Sequence, residues 1–188
     1  MMNELRGCDF SHYQNEEYNK YLSSMDFIIH KLSEGTSFID EFAFRRASMF
    51  AENKPFIFYH FVRDRKNIMG EISHFARTFC KCDLKHTIGI AIDCEGAQFE
   101  KSKDASDIFQ VLEWLKNSLG KRPIFYGGDL LDASFYYAVR DTDSGLWVAR
   151  YRSQKPVHAC DFWQYSSTPF DKDLFFGDME KMKSFLKG

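Results

Sequence analysis

No run in the 188-residue sequence is apolar for long enough to cross a membrane as a helix. The first eighteen residues, MMNELRGCDFSHYQNEEY, lack the apolar centre of a secretory signal and mix acids with bases. The reading is a protein made and kept folded in a reducing cytoplasm, without a membrane anchor, which something else must carry to any target outside. Excess charge is missing too. Twenty-five Lys and Arg against 27 Asp and Glu leave a net charge of −2. No strong field is available to hold nucleic acid or an anionic membrane surface. The five cysteines, Cys8, Cys80, Cys82, Cys94 and Cys160, are an odd number, which argues against a disulfide framework. Cys80 and Cys82 have no second Cys/His pair at zinc-finger spacing, so free thiols are expected. Repeats, low-complexity tracts and Pro/Gly/Ser linkers are absent. Residues 1–188 read as one domain with no separate binding module.

What the chain does have is aromatic side chains, 17% of its residues with 20 phenylalanines. Most must be core, since large rings bury well. Short apolar runs alternate with polar, periodic stretches. Strands are expected at 5–10, 26–32, 54–61, 87–95, 122–127, 145–151 and 159–165. Helices are expected at 37–53, 67–80, 104–120 and 129–139. Only seven residues, 152–158, separate the last two expected strands. That is too short for a crossover, so a terminal hairpin is expected. Strand–helix alternation points to a parallel α/β core, either a barrel or an open sheet. At 188 residues a barrel requires that several helices be missing, because a full eightfold barrel runs to about 250 residues.

Polar residues gather at the C-terminal ends of these strands. Asp9 ends the first, Tyr59 and His60 the third, Tyr126 the fifth. The segment IGIAIDCEG, residues 88–96, carries Asp93 and Glu95 two apart, so that both project from one face while Cys94 points the other way. Sites in parallel α/β folds collect at that edge. Crowded carboxyls suit glycoside hydrolysis, which needs one protonated acid for the leaving oxygen and an anionic group near the sugar's developing charge. Other readings stay open at this point: a divalent-cation site, a salt bridge, or a solvated turn.

The motifs taken together resemble glycoside hydrolase family 25, the Chalaropsis-type N-acetylmuramidases. GCDFSHYQ is similar to the family's opening G-x-D-x-S-x-x-Q. FIIHKLSEGTSFID, FYHF, IAIDCE, PIFYG, LWVARY and DFWQYSS follow in the family's order, and the likeness runs from about residue 6 to 178. The resemblance implies a flattened TIM-like α/β barrel with a reduced helix count, (β/α)5β3. It implies hydrolysis of the β-1,4 bond between N-acetylmuramic acid and N-acetylglucosamine, with no cofactor and no metal. Glu95 would be the general acid/base, Asp93 would stabilise or orient the reacting sugar, and Asp9 would complete the acidic cluster. A fourth family acid, from a late V-D-x-N segment, would fall on Asp178. Tyr59, Tyr126, Trp147, Tyr151, Gln164 and Lys31 would line the sugar groove; for Trp147 and Tyr151 barrel packing is the plain alternative. Glu34 is read as structural. Cys94 and Cys8 should face the helix layer. The expected partner is the glycan strand of peptidoglycan. Delivery machinery or an immunity protein would be further partners of a monomer acting as phage lysin or injected effector. An idle glycan-binding domain, a chitin-type glycosidase and a metal-dependent hydrolase are the rival readings.

Overall fold

The computed structural model describes residues 4–187. Nine strands and seven helices follow in order: β1 (Leu5–Phe10), α1 (Asn19–Ser24), β2 (Phe27–Glu34), β3 (Phe38–Ile39), α2 (Ala43–Phe50), β4 (Phe56–Phe61), α3 (Ile68–Phe79), β5 (Gly89–Asp93), α4 (Ala97–Glu100), α5 (Ser106–Leu119), β6 (Pro123–Gly128), α6 (Ala133–Asp141), β7 (Gly145–Ala149), β8 (Phe162–Ser166), β9 (Asp171–Phe175) and α7 (Met179–Lys187). Eight strands close a barrel in the order β1-β2-β4-β5-β6-β7-β8-β9, with β9 pairing back to β1. The two-residue β3 lies outside it, against β2. Five barrel strands are each followed by helix before the last three arrive, which is the (β/α)5β3 plan with one further helix at the end.

Two apolar layers hold this together. Side chains on alternate positions point outward and pack under the helices: Phe10, Phe58, Ile92 and Cys94 from strands join Phe75 and Leu112 from helices. Cys8 lies in the same layer, so both cysteines beside the acids face the helices. The other alternate positions fill the barrel interior, with Phe27, Ile57, Ala91, Ile124 and Phe162 below the polar end. Burying each large side chain contributes about 1.5–3 kcal/mol.

The bottom of the barrel is sealed by α7, whose Met182, Phe185 and Leu186 join the inner layer. Two glycines make room for it. A β-carbon at Gly89, where β5 begins, would run into Leu186, and one at Gly145, where β7 begins, would run into Phe185. The apolar plug at one end leaves the other end to the polar residues.

Three expectations are corrected. Strands β7 and β8 are parallel, not a hairpin. The connection between them is residues 150–161, long enough to cross over without a helix. The terminal antiparallel pair is instead β8 with β9, a strand that the alternation pattern does not reveal. The helix expected from residue 37 begins only at Ala43, after β3. Among the described residues, no helix is long and apolar enough to cross a membrane.

Candidate active site

Inward positions continue upward along each strand, and period 2 decides what reaches the open end. Beyond Ile29 comes Lys31, beyond Ile57 comes Tyr59, beyond Ala91 comes Asp93, and beyond Ile124 comes Tyr126. Gly7 is followed by Asp9, and Phe162 by Gln164. Lys31, Tyr59, Asp93, Tyr126, Asp9 and Gln164 all line one cleft of about 340 Å³. Asp93 closes β5 and is buried. Glu95 lies past the strand end and is exposed. Gly96 follows with φ +85°, a conformation that favours glycine, and turns the chain into α4. The two acids thus share one cleft, the first in its floor and the second at its rim.

Asp9 joins them from β1. Its Oδ2 accepts from Gln164 Nε2 at 2.7 Å. Gln164 Oε1 in turn accepts from the hydroxyls of Tyr126 (2.8 Å) and Tyr151 (2.6 Å). Trp147 lines the floor of the cleft, 1% exposed and with its ring 4.3 Å from that of Tyr126. Tyr151 stands exposed at the rim. Lys31 is buried, and its ammonium donates to Glu34 at 2.8 Å. Glu34 lines the cleft as well, clamped from the other side by Arg63.

Asp178 does not join the cluster. β9 runs antiparallel to β1, so the chain beyond Phe175 leaves the barrel at its sealed end. There the Asp178 carboxylate accepts from the Lys181 amide at the start of α7. The late acids beside Asp9 are Asp171, paired with it across the β1–β9 ladder, and Asp173. It is the segment Phe170-Asp171-Lys172-Asp173, and not the one at Asp178, that brings late acids to the neighbourhood of Asp9.

The cleft wall beside Asp9 is residues 11–15, and Arg46 of α2 anchors it from below. Its guanidinium is buried and donates to the carbonyls of Ser11, Gln14 and Asn15. This wall presents Tyr13 and Gln14 to the cleft. Both belong to the segment GCDFSHYQ, whose Ser and Gln are tied together by the Ser11 amide donating to Gln14 Oε1 at 2.9 Å. His60 takes no part, since its ring faces α3 and meets Glu71 Oε2 at 3.2 Å.

Burial and crowding shift the acids upward. Burial, then Glu95 and Asp9, raise Asp93 well above the ordinary carboxyl range. Burial and Asp171 push Asp9 up to about 7, against hydrogen bonds from Gln164 and Asp173. Asp171 is raised to about 6 by burial and Glu95. Partial burial also raises Glu95, with Lys31 opposing and Glu100 reinforcing the shift. Lys31 pulls down both Asp93 and Glu95. Such a set can keep one carboxyl protonated near neutral pH while holding negative charge beside it. Among the described residues, no three His, Cys, Asp or Glu side chains are grouped to hold a metal ion.

The sequence profile of glycosyl hydrolases family 25 matches residues 8–174. Solved structures share the fold. The bacterial lysozyme from Streptomyces coelicolor is 20% identical, with 97% of each chain covered and a TM-score of 0.75. The catalytic domain of endolysin ply40 from bacteriophage P40 of Listeria monocytogenes is 21% identical, covering 100% of this chain and 98% of that one, with a TM-score of 0.74. The modular Cpl-1 endolysin, solved with a peptidoglycan analogue, is 21% identical over 95% of this chain and 56% of its own, with a TM-score of 0.68.

Proposed function

The chain belongs to glycosyl hydrolases family 25, and we propose that it is a peptidoglycan muramidase. It cleaves the β-1,4 bond between N-acetylmuramic acid and N-acetylglucosamine. The observation that carries this reading is the solvent-reaching Glu95 set over a floor of buried carboxyls in one cleft. A second groove of about 500 Å³ continues on the far side, sharing Glu95, Tyr126 and Tyr151 with the first. A polymer lying along both would place an internal bond at Glu95.

In this account Glu95 donates its proton to the bridging oxygen as the bond to the sugar's C1 breaks. Asp93 has a buried oxygen, Oδ1, with no hydrogen-bond partner. It accepts the N–H of the sugar's 2-acetamido group, whose carbonyl oxygen closes on C1. Glu95, now a carboxylate, takes a proton from the water that opens this ring, and the acid is restored. The free buried oxygen of Asp93 supports this orienting role. As the setting we propose a phage or prophage lysin, or an antibacterial effector delivered to a wall. As the working unit we propose a monomer.

The test is release of soluble reducing ends from purified peptidoglycan. Glu95→Gln is expected to fold and to lose about 10²–10⁴ in rate, the contribution of a positioned general acid. A variant that cleaves at the wild-type rate would remove Glu95 from the reaction.

A further inference from the structure

Asp173 is wholly buried and, unlike Asp9 and Asp171, does not line the cleft. It sits between two strands that both serve Asp9. On one side it pairs with Gly7 of β1, two residues before Asp9; on the other it pairs with Gln164 of β8, the residue that donates to Asp9. Its Oδ1 accepts the indole N–H of Trp147 at 2.9 Å. Its Oδ2 is buried and meets no donor. Asp173 and Asp9 project into the barrel from neighbouring inward positions of the β1–β9 ladder, with Gln164 beside both. Two carboxylates cannot hydrogen-bond each other unless one carries a proton. Asp9, with the Gln164 donor, is the better anion. Asp173, with one oxygen free, is the better acid.

We propose that Asp173 is a positioning residue that remains a neutral carboxylic acid and donates from Oδ2 to Asp9, making Asp9 the first of the pair to ionise. A directed chain results. Tyr126 and Tyr151 donate to Gln164, Gln164 and Asp173 donate to Asp9, and Trp147 donates to Asp173. It gives the buried indole N–H of Trp147 a role: it sets which oxygen of Asp173 bears the proton. The groups facing the pair from inside the barrel are Asp171 of β9, Asp93 and Glu95 from within and beyond β5, and the hydroxyls of Tyr59, Tyr126 and Tyr151. None of them is a cation, so nothing in this shell favours ionising both acids. Burial and Asp9 hold the Asp173 proton in place well above the ordinary range.

The role of Asp9 in turnover rests on the muramidase reading, but the protonation state does not. Infrared difference spectra of wild type minus Asp173→Asn at neutral pH test it without any activity. The expected difference is a protonated-carboxyl C=O band with no carboxylate band. A carboxylate band in its place would overturn the proposal. Carbon-13 NMR of aspartate-labelled wild type gives the same reading without a variant, as an Asp173 carboxyl that stays in its acid form through neutral pH; an ionised Asp173 would overturn it. In rate profiles, Asp173→Leu is expected to move the acidic limb up by about one pH unit, because Asp9 loses a donor to its anion. Asp173→Asn, which keeps a donor, is expected to leave that limb where wild type has it. Coincident limbs in Asp173→Leu and wild type would show that Asp173 does not set the charge of Asp9.

Discussion

Lys31 Nζ lies 2.8 Å from Glu34 Oε2, within one strand and three residues apart. Residues at that spacing ordinarily face opposite sides of a sheet. Here β2 shifts register against β4 between Lys31 and Ser33, and the extra residue brings both side chains to the cleft. The bulge therefore turns Glu34 to the same side as Lys31, a cation that acts on both Asp93 and Glu95, and Arg63 locks Glu34 in place.

Replacing Lys31 by Met should consequently change pH dependence as well as rate. Lys31 lowers the proton affinity of Glu95, so its loss raises it. The alkaline limb, where Glu95 must still be protonated, is expected to move to higher pH. Glu34 keeps Arg63, so the stability cost is expected to be modest, about 1–3 kcal/mol. Rate profiles and denaturant titrations measure the two effects separately.

Stability should also depend on the floor acids. Asp9 is raised from 3.8 to about 7 in the folded protein, and Asp171 from 3.8 to about 6. A raised acid favours the folded state below its unfolded value, and that contribution is lost as pH rises through the folded value. His30 runs the other way. Burial lowers it from 6.5 to about 4, so its contribution is lost as pH falls across that window. The Asp9→Asn variant lacks the first of these contributions. Its melting temperature is expected to fall less than that of wild type between about pH 5 and 7.5, and parallel curves would contradict the shift assigned to Asp9.

At the sealed end, Gly145→Ala sets a methyl against the Phe185 ring. Overpacking of this kind costs about 1–3 kcal/mol. The substitution is at the opposite end of the barrel from Glu95. Chemical denaturation should register the loss, while the pH profile of the remaining activity keeps its shape.

Much of this site is legible in the sequence because alternation in a buried strand is a strong signal. The apolar residues of IGIAID mark the strand, and Asp93 then follows at the next inward position. Asp9, Tyr59, Tyr126 and Gln164 reach the cleft by the same count. β9 is silent for a physical reason. Its sequence, DKDLF, places two acids on the face where a strand usually carries apolar side chains. Asp171 and Asp173 therefore do not announce themselves, and the late acid falls by motif on Asp178 instead. The bulge at Lys31 is equally silent, since a register shift depends on the neighbouring strand. The parallel β7–β8 pair is hidden because both strands read longer than they are, which makes their connection look too short.

The most direct test of the central claim is the chemistry of the ends produced. Purified peptidoglycan is digested with wild type and with Glu95→Gln, with and without EDTA, then reduced with borohydride and analysed by mass spectrometry. The account predicts fragments ending in reduced N-acetylmuramic acid with wild type, unchanged by EDTA and absent with Glu95→Gln. Intact polymer, fragments ending in reduced N-acetylglucosamine, or cleavage abolished by EDTA would contradict it.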